Sequence, residues 1–511
     1  MSADGGIDAG IAPAQTSLGG FAAHSPRSES LGGAAVFLVP LLAMLLLSRS
    51  GIGDGAHRAV LAGLSLIGLW RYSWAMTHYL RACWYRHYTY PRLRDGLDLQ
   101  RDRVDHVAVV ITSFRIEAEI NAAVYAALFR ELLDYGARAT VVACMTDPAD
   151  ARLLRAVGTA CGCEGRMDVS LIPQAGLGKR HAMARALRHL ASLALPSNSA
   201  VVLMDGDTLI RRGILRHSLP LLRRYPEVGA LTVDNIPLVR GSTISREWYR
   251  LRMAQRHLLM CSIALSRKLL VLTGRFSIYR GAIAFDPGFA ERILDDEVQH
   301  WRFGRIKMLS GDDKSTWFWV LSRGWQMLYL PDASVYCLEE LPSKSFVRGS
   351  TSLMRRWFGN MVRASGRALG LGWRRVGVFP YLVLIDQRLS LWSALIGPTL
   401  CLTLTAFQGP HVLGLYLVWV ATVRSVQALI VGLFAGRFSI WFPPLLFYGQ
   451  TVGSAIKIWA TFHPNVQNWT RQKIRAADSV PHLVSTVLMA MSLLVFVLGV
   501  ILLGGVLDHV L

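Results

Sequence analysis

Ala200-Val201-Val202-Leu203-Met204-Asp205-Gly206-Asp207 is a short apolar run that ends in two carboxylates one residue apart. A run of this length and composition, bounded by turn residues, reads as a strand buried on both faces of a parallel sheet. Carboxylates at the end of such a strand suit a divalent cation that bridges a diphosphate, Mg²⁺ or Mn²⁺. Gly206 between them lets the backbone come close to a ligand. A solvated turn has the same letters, so the surroundings carry the distinction.

Working outward, residues 107–111, 139–143 and 169–172 are further apolar strand candidates, and 117–133 is helix-like. Strands alternating with helices predict βαβ units and a mostly parallel α/β sheet, whose ligands gather at the carboxyl ends of the strands. Thr112-Ser113-Phe114-Arg115 ends the first strand and Asp147 lies just past the second, both placed to contact a base or ribose. Asp147-Pro148 is also ordinary turn chemistry. Gly176-Leu177-Gly178-Lys179-Arg180 precedes the helical stretch 182–191. Glycines before a helix cradle phosphate on free N–H groups and a lysine adds a point charge, although an ordinary loop with a basic edge has the same form. It is not the P-loop pattern.

Downstream, Gly311-Asp312-Asp313-Lys314 opens the helical stretch 314–323, which Gly324 terminates. Asp312 reads as a helix cap or dipole partner, and Asp313 as a general base for an acceptor hydroxyl. Mutual repulsion and burial raise one carboxylate of such a pair toward a useful pKa. Trp317, Trp319 and Trp325 read as core. In Arg355-Arg356-Trp357-Phe358, the arginines suit a departing diphosphate and Trp357 the floor of an acceptor-sugar site. An amphipathic interfacial helix is the alternative.

The flanks are membrane-like. Residues 31–48 and 60–80 are candidate spans, the second with Arg71 near its middle, and a basic collar from Arg81 to Arg103 follows them. Residues 389–407, 411–434 and 481–507 are further candidates. Residues 439–462 are a weaker one, because they hold Pro443-Pro444 and Lys457, and 376–390 suits an interface. The linker 463–480 carries Arg471, Lys473 and Arg475, which places it inside and makes 439–462 interfacial or re-entrant. The expected organisation is a disordered polar leader at 1–30, two membrane helices at 31–80, a cytosolic domain at 81–375, and interfacial and membrane helices at 376–511. The chain of 511 residues has a formal net charge of +21. The positive-inside rule and anionic lipid account for that charge in a chain with spans, and no nucleic-acid reader motif is present. Seven scattered cysteines read as reduced thiols.

In order, these features resemble the processive family 2 glycosyltransferases of bacterial membranes, the cellulose, hyaluronan, chitin and alginate synthases. The resemblance covers residues 105–360 and implies a cytosolic GT-A domain joined to a transmembrane channel. It assigns Thr112, Phe114, Asp147, Lys179 and Asp205 to the nucleotide-sugar and Asp205 and Asp207 to the metal. Asp313 becomes the catalytic base, and Arg356 and Trp357 serve the diphosphate and acceptor. The wording looks most like the polymerase subunits of alginate synthases. It does so at Ile67-Gly68-Leu69-Trp70-Arg71-Tyr72-Ser73, Thr112-Ser113-Phe114-Arg115, Arg246-Glu247-Trp248-Tyr249 and Gln255-Arg256-His257. Leu272-Thr273-Gly274-Arg275, Gly311-Asp312-Asp313-Lys314-Ser315, His463-Pro464-Asn465 and Gln467-Asn468-Trp469 continue it.

Such a resemblance implies transfer of mannuronate from GDP-mannuronic acid, with inversion, onto a growing β-1,4-linked polysaccharide that passes through the chain's own channel. It also implies residence in the bacterial inner membrane and a partner protein that binds cyclic di-GMP. Asn468-Trp469-Thr470-Arg471 is similar to the family's gating segment. Two departures stand out. Leu353 occupies the place of the family's acceptor-motif Gln, and Gly-Asp-Asp replaces the Thr-Glu-Asp of cellulose synthases. A synthase using UDP-sugars and a non-catalytic channel subunit are the competing readings.

Overall fold

The computed structural model describes residues 56–469 and 481–510, together with short pieces at 17–18, 20–22, 42 and 474–475. Apart from those pieces, the expected leader at 1–30 and first span at 31–48 lie outside the described residues, as do Thr470 and Arg471 of the gating-like segment.

Helix α1 (Ala56–Trp84) leads into the α/β unit. Strand β1 (His106–Ser113), helix α2 (Ala118–Tyr135), strand β2 (Arg138–Met145), helix α3 (Pro148–Ala160), strand β3 (Asp168–Pro173), helix α4 (Lys179–Ser192) and strand β4 (Ala200–Asp205) follow in the predicted alternation. Strands β1 and β4 run beyond their apolar stretches at the carboxyl end, so Thr112, Ser113 and Asp205 are themselves held in sheet. Val107, Val109, Val110 and Ile111 of β1 are at most 1% exposed. Burial of each such side chain is worth roughly 1.5–3 kcal/mol, which is why β1 sits centrally, between β2 and β4 and parallel to both.

The second half of the unit contains β5 (Thr208–Ile210), β6 (Val228–Arg240), helix α5 (Thr243–Ala264), β7 (Phe276–Arg280), helix α6 (Asp312–Ser322) and β8 (Gln326–Glu340). Strand β7 enters antiparallel between β4 and β6, and β8 pairs parallel with β6 and antiparallel with β5. With the short pieces at 17–18 and 21–22, the sheet has ten strands, and most of its paired residues are in parallel register. Trp317 and Trp319 are core, as expected.

Helix α7 (Phe346–Gly370) crosses from the sheet to α8 (Val378–Gln408), α9 (His411–Ala435), α10 (Phe442–Phe462) and α11 (Leu483–Val510). Among the described residues, three stretches are long and apolar enough to cross a membrane: Val378–Gln408, His411–Ala435 and Leu483–Leu502. Leu483, Val495 and Leu502 point outward from α11 at 69–79% exposure. That surface is costly in water and matches hydrocarbon, which marks a membrane-associated protein.

One expectation is corrected. Residues 376–390 do not form a separate interfacial piece, because α8 continues from Val378 through the expected span. The polar residues that broke the apolar pattern have protein partners instead: Asp386 pairs with Arg71 of α1 at 2.5 Å, and Arg388 donates to the carbonyl of Val362 at 2.7 Å. The same ion pair accounts for the arginine in the middle of α1. In α10, Pro443 and Pro444 stand in the first turn, where a missing N–H costs no helical hydrogen bond.

Candidate active site

The carboxyl ends of β1 and β4 bring the first site residues together. Gly206 turns the chain directly over the end of β1, its N–H donating to the carbonyl of Thr112 at 2.9 Å. A Cβ at Gly206 would lie 2.9 Å from that same oxygen, so only glycine fits this turn without displacement. Asp205 and Asp207 therefore leave the turn on either side of one glycine, at the edge of the cavity that Thr112 and Phe114 also line.

Helix α4 starts where Gly176 and Gly178 take left-handed backbone angles (φ 75° and 106°), and its first residue is Lys179. The ammonium is held 2.6 Å from Asp205 and 2.6 Å from Asp312 at the start of α6. Burial alone would lower its pKa, but the two carboxylates outweigh burial and hold it well above the ordinary lysine value. Asp312 is likewise pushed up by burial and pulled down further by Lys179, so it stays an anion. Asp313, next to it, goes the other way. Burial and then the charge of Asp312 raise its carboxyl above the ordinary aspartate range, which suits a proton acceptor. One of the two adjacent carboxylates is thus held as an ion and the other has its carboxyl pKa raised.

Two arginines, the buried Arg180 and the partly buried Arg367, anchor this arrangement. Arg180, beside Lys179, donates to the carbonyls of Ile293 and Ser310 and to the hydroxyl of Ser315, tying α4 to the start of α6. Arg367 of α7 pairs with Asp296, which also accepts from Ser315. Helix α7, which carries Arg356 and Trp357, is thereby keyed to the helix that carries Asp313. Trp357 stacks on Trp248 of α5 with ring centres 5.7 Å apart and planes 13° apart.

Lys179, Asp205, Asp207, Asp312, Asp313, Arg356 and Trp357 line one cavity of about 1650 Å³, with Arg180, Arg367 and Asp296 behind its wall. It begins at Thr112, Phe114, Lys179, Asp205, Asp207 and Asp313, passes Arg356 and Trp357, and continues between α1, α8, α9 and α10 to Arg71, Asp386 and Arg424. Asp147 is not brought into it: its side chain accepts from the N–H of Ala149 at 2.8 Å and caps α3. Leu353 is 6% exposed in an apolar cluster with Trp248 and Tyr249, where a glutamine would need a buried partner.

A divalent ion fits the donor set. Asp205 and Asp207 flank a backbone turn open to the cavity, and their charges are matched here by Lys179 and Arg275. Among the described residues, no group of three or more His, Cys, Asp or Glu side chains forms a self-sufficient metal cage. Two carboxylates suit an ion whose remaining ligands are substrate phosphate oxygens and water.

The family model described as glycosyltransferase-like family 2 matches residues 105–360. The chain belongs to that family. Its curated relatives include glycosyltransferase alg8 of Pseudomonas syringae pv. tomato, 36% identical over 85% of this chain and 89% of that one. Glycosyltransferase alg8 of Azotobacter vinelandii is also 36% identical, over 82% of this chain and 85% of that one. These relatives bear out the resemblance to the alginate-synthase polymerase subunits. Among solved structures, a mannosyltransferase from Pyrobaculum calidifontis with GDP-Man and Mn²⁺ matches at a TM-score of 0.44 and 16% identity, covering 79% of this chain and 98% of that one. The chain is an enzyme, and its α/β unit is a GT-A-type glycosyltransferase domain.

Several residues of this glycosyltransferase escaped a reading by spacing. Arg275 pairs with Asp207 and, at 2.8 Å, with Glu339 at the end of β8. Gly274 lies over the ion cluster, where a Cβ would come 3.1 Å from the Lys179 ammonium. Both belong to Leu272-Thr273-Gly274-Arg275, a stretch quoted only for its resemblance. No periodicity marked it, because it precedes an unpredicted antiparallel strand.

Proposed function

We propose that this glycosyltransferase polymerises mannuronate from GDP-mannuronic acid into β-1,4-polymannuronate and passes the polymer across the bacterial inner membrane, with its α/β domain on the cytosolic side. The observation that carries this reading is one cavity running from Asp205, Asp312 and Asp313 into polar residues among α1, α8, α9 and α10, of which α8 and α9 are long and apolar enough to cross a membrane. A transferase that releases its product to the cytosol has no use for such a passage. The relatives named alg8 favour the alginate type.

In this reading the nucleotide lies against Thr112 and Phe114. Lys179 and Arg356 offset diphosphate charge. Asp205 and Asp207 hold Mg²⁺ or Mn²⁺, which when bound stabilises the departing diphosphate. The acceptor sugar rests on Trp357, and its hydroxyl gives a proton to Asp313 as its oxygen attacks the anomeric carbon from the face opposite the nucleotide. GDP departs and the anomeric configuration inverts. Release of the base's proton to solvent resets Asp313.

The test is donor-dependent polymer synthesis by membranes that hold this chain, Mg²⁺, cyclic di-GMP and the host's partner proteins. Lyase-sensitive polymer from GDP-mannuronic acid and not from UDP-sugars is the expected result. Polymer from a UDP-sugar alone would overturn the substrate. Regulation is assigned to a cyclic di-GMP-binding co-polymerase partner, so the purified chain is expected not to bind that nucleotide in calorimetry.

A further inference from the structure

Among the described residues, the deep half of the cavity has an excess of positive charge over carboxylates. Helices α1, α8, α9 and α10 contribute Arg71, Arg424 and Lys457 to its wall, against a single carboxylate, Asp386, which Arg71 takes at 2.5 Å. Arg424 donates to two neutral amides, Gln427 and Gln450. The Lys457 ammonium lies 4.8 Å from the centre of the Phe358 ring. From the other side, Arg252 of α5 lies 5.8 Å from that ring and 4.6 Å from the ring of Trp357. Among the described residues, Arg252, Lys457 and Arg424 have no carboxylate within ion-pair reach.

Cations between apolar helices are costly unless an anion meets them, and aromatic faces and amides compensate only in part. Charged groups held this way in an open passage suit a ligand that supplies its own negative charge. The surroundings narrow its class further. Trp357 and Phe358 line the cavity together with Arg252 and Lys457, which lie over their rings, so an acidic sugar passing the two aromatic side chains meets both charges. Along α10, Lys457 is seven residues from Gln450, the partner of Arg424. Two helical turns separate the two cationic points by about 10 Å, comparable with a disaccharide.

We propose that Arg252 and Lys457, set about the Phe358 ring, form a carboxylate-binding subsite for an acidic sugar chain leaving the active site, with Arg424 as the next cation along its path. This rests on the acidic-polymer reading of the product. It explains why the passage is basic, since a neutral glucan would be served by uncharged hydrogen-bonding groups.

The experiment compares binding of oligomannuronate and of its carboxyl-reduced neutral analogue to the purified full-length protein. The proteins are wild type, Lys457→Met, the charge-keeping Lys457→Arg, and Arg252→Gln. Loss of one charge-assisted contact is expected to weaken oligomannuronate binding about tenfold in Lys457→Met and in Arg252→Gln. Lys457→Arg should stay near wild type, and binding of the neutral analogue should be alike in all four. Arg252→Gln gives the same reading if Lys457→Met does not fold. Wild-type affinity for oligomannuronate in both neutral variants, or an equal loss for the neutral analogue, overturns the subsite. Synthesis from GDP-mannuronic acid by wild-type membranes is measured alongside. Its absence overturns the functional reading itself, whereas synthesis with unchanged variant binding overturns the subsite alone.

Discussion

Gly206→Ala tests whether the position of the Asp205–Asp207 turn, and not merely the presence of its carboxylates, sets the rate. The added Cβ would stand 2.9 Å from the Thr112 carbonyl oxygen, 3.1 Å from the Ser113 Cα and 3.1 Å from the Ile116 Cδ1. The isoleucine end can rotate away. The two backbone atoms terminate the central strand and cannot. Ordinary contact begins at 3.4 Å, so the turn has to retreat by about 0.5 Å, stretching the Gly206 to Thr112 hydrogen bond of 2.9 Å. Overpacking of this kind costs about 1–3 kcal/mol of stability. A 1 Å misplacement costs roughly a hundredfold in rate, so half of that costs about tenfold, or ~1.4 kcal/mol. The assay is initial-rate sugar transfer in membranes with matched protein content, across a series of donor and Mg²⁺ concentrations. We expect kcat/KM for the donor to fall about tenfold and half-saturation by Mg²⁺ to move upward. Gly370→Ala is the control, because a Cβ there meets nothing within 4 Å, and it should behave as wild type. Wild-type kinetics and metal dependence in Gly206→Ala would refute the reasoning.

Asp313→Asn should lower kcat by about 10²–10⁴ with protein level unchanged. Because burial and the charge of Asp312 raise Asp313, the wild-type rate should fall as pH drops through a value above the ordinary aspartate pKa. An acid limb at the ordinary value counts against Asp313 as base. Asp296 is fully buried; burial alone would raise its pKa, but the bonds from Arg367 and Ser315 hold it below the usual range. Its contribution to stability is therefore present above the unfolded carboxylate pKa of about 3.9 and is lost as pH falls through the lower folded value. Asp296→Asn should cost about 3 kcal/mol at pH 7, read as a lowered thermal midpoint, and should flatten the loss on acidification. Trp357→Ala removes the stack on Trp248, about 0.5–1.5 kcal/mol, and should shorten the polymer more than it slows donor consumption. Equal effects on length and consumption would remove Trp357 from the acceptor site.

Much of the parallel half of the sheet was legible from residue order alone. Four apolar runs of strand length, separated by helix-length segments, admit few other arrangements, and the polar residues that follow such runs stand at the carboxyl edge of the sheet. Thr112, Lys179, Asp205 and Asp313, which the structure brings into one cavity, each stand at a strand end or a helix start that local chemistry marks. Arg275 and Glu339 had no such mark. Their role depends on β7 entering antiparallel beside β4 and on β8 reaching alongside β6, pairings between residues far apart in the chain. Asp147 shows the converse: the sequence marks it just past a strand with ordinary turn chemistry, and in the structure its side chain caps α3 and does not line the cavity.

The membrane part divides in the same way. Hydropathy by itself determined which segments are apolar enough to leave water, because transfer free energy is nearly additive along a helix. What the polar residues inside them do is decided only in three dimensions. Arg71 and Asp386, 315 positions apart in sequence, cancel each other's charge, whereas Lys457 and Arg252 converge on one aromatic ring with no anion between them. Composition counts Arg71, Asp386 and Lys457 alike, as charges in largely apolar helices, and Arg252 as one arginine among several on α5. Only the packing of α1 on α8, and of α10 beside α5 and α7, separates a neutralised structural pair from two charges facing an open passage.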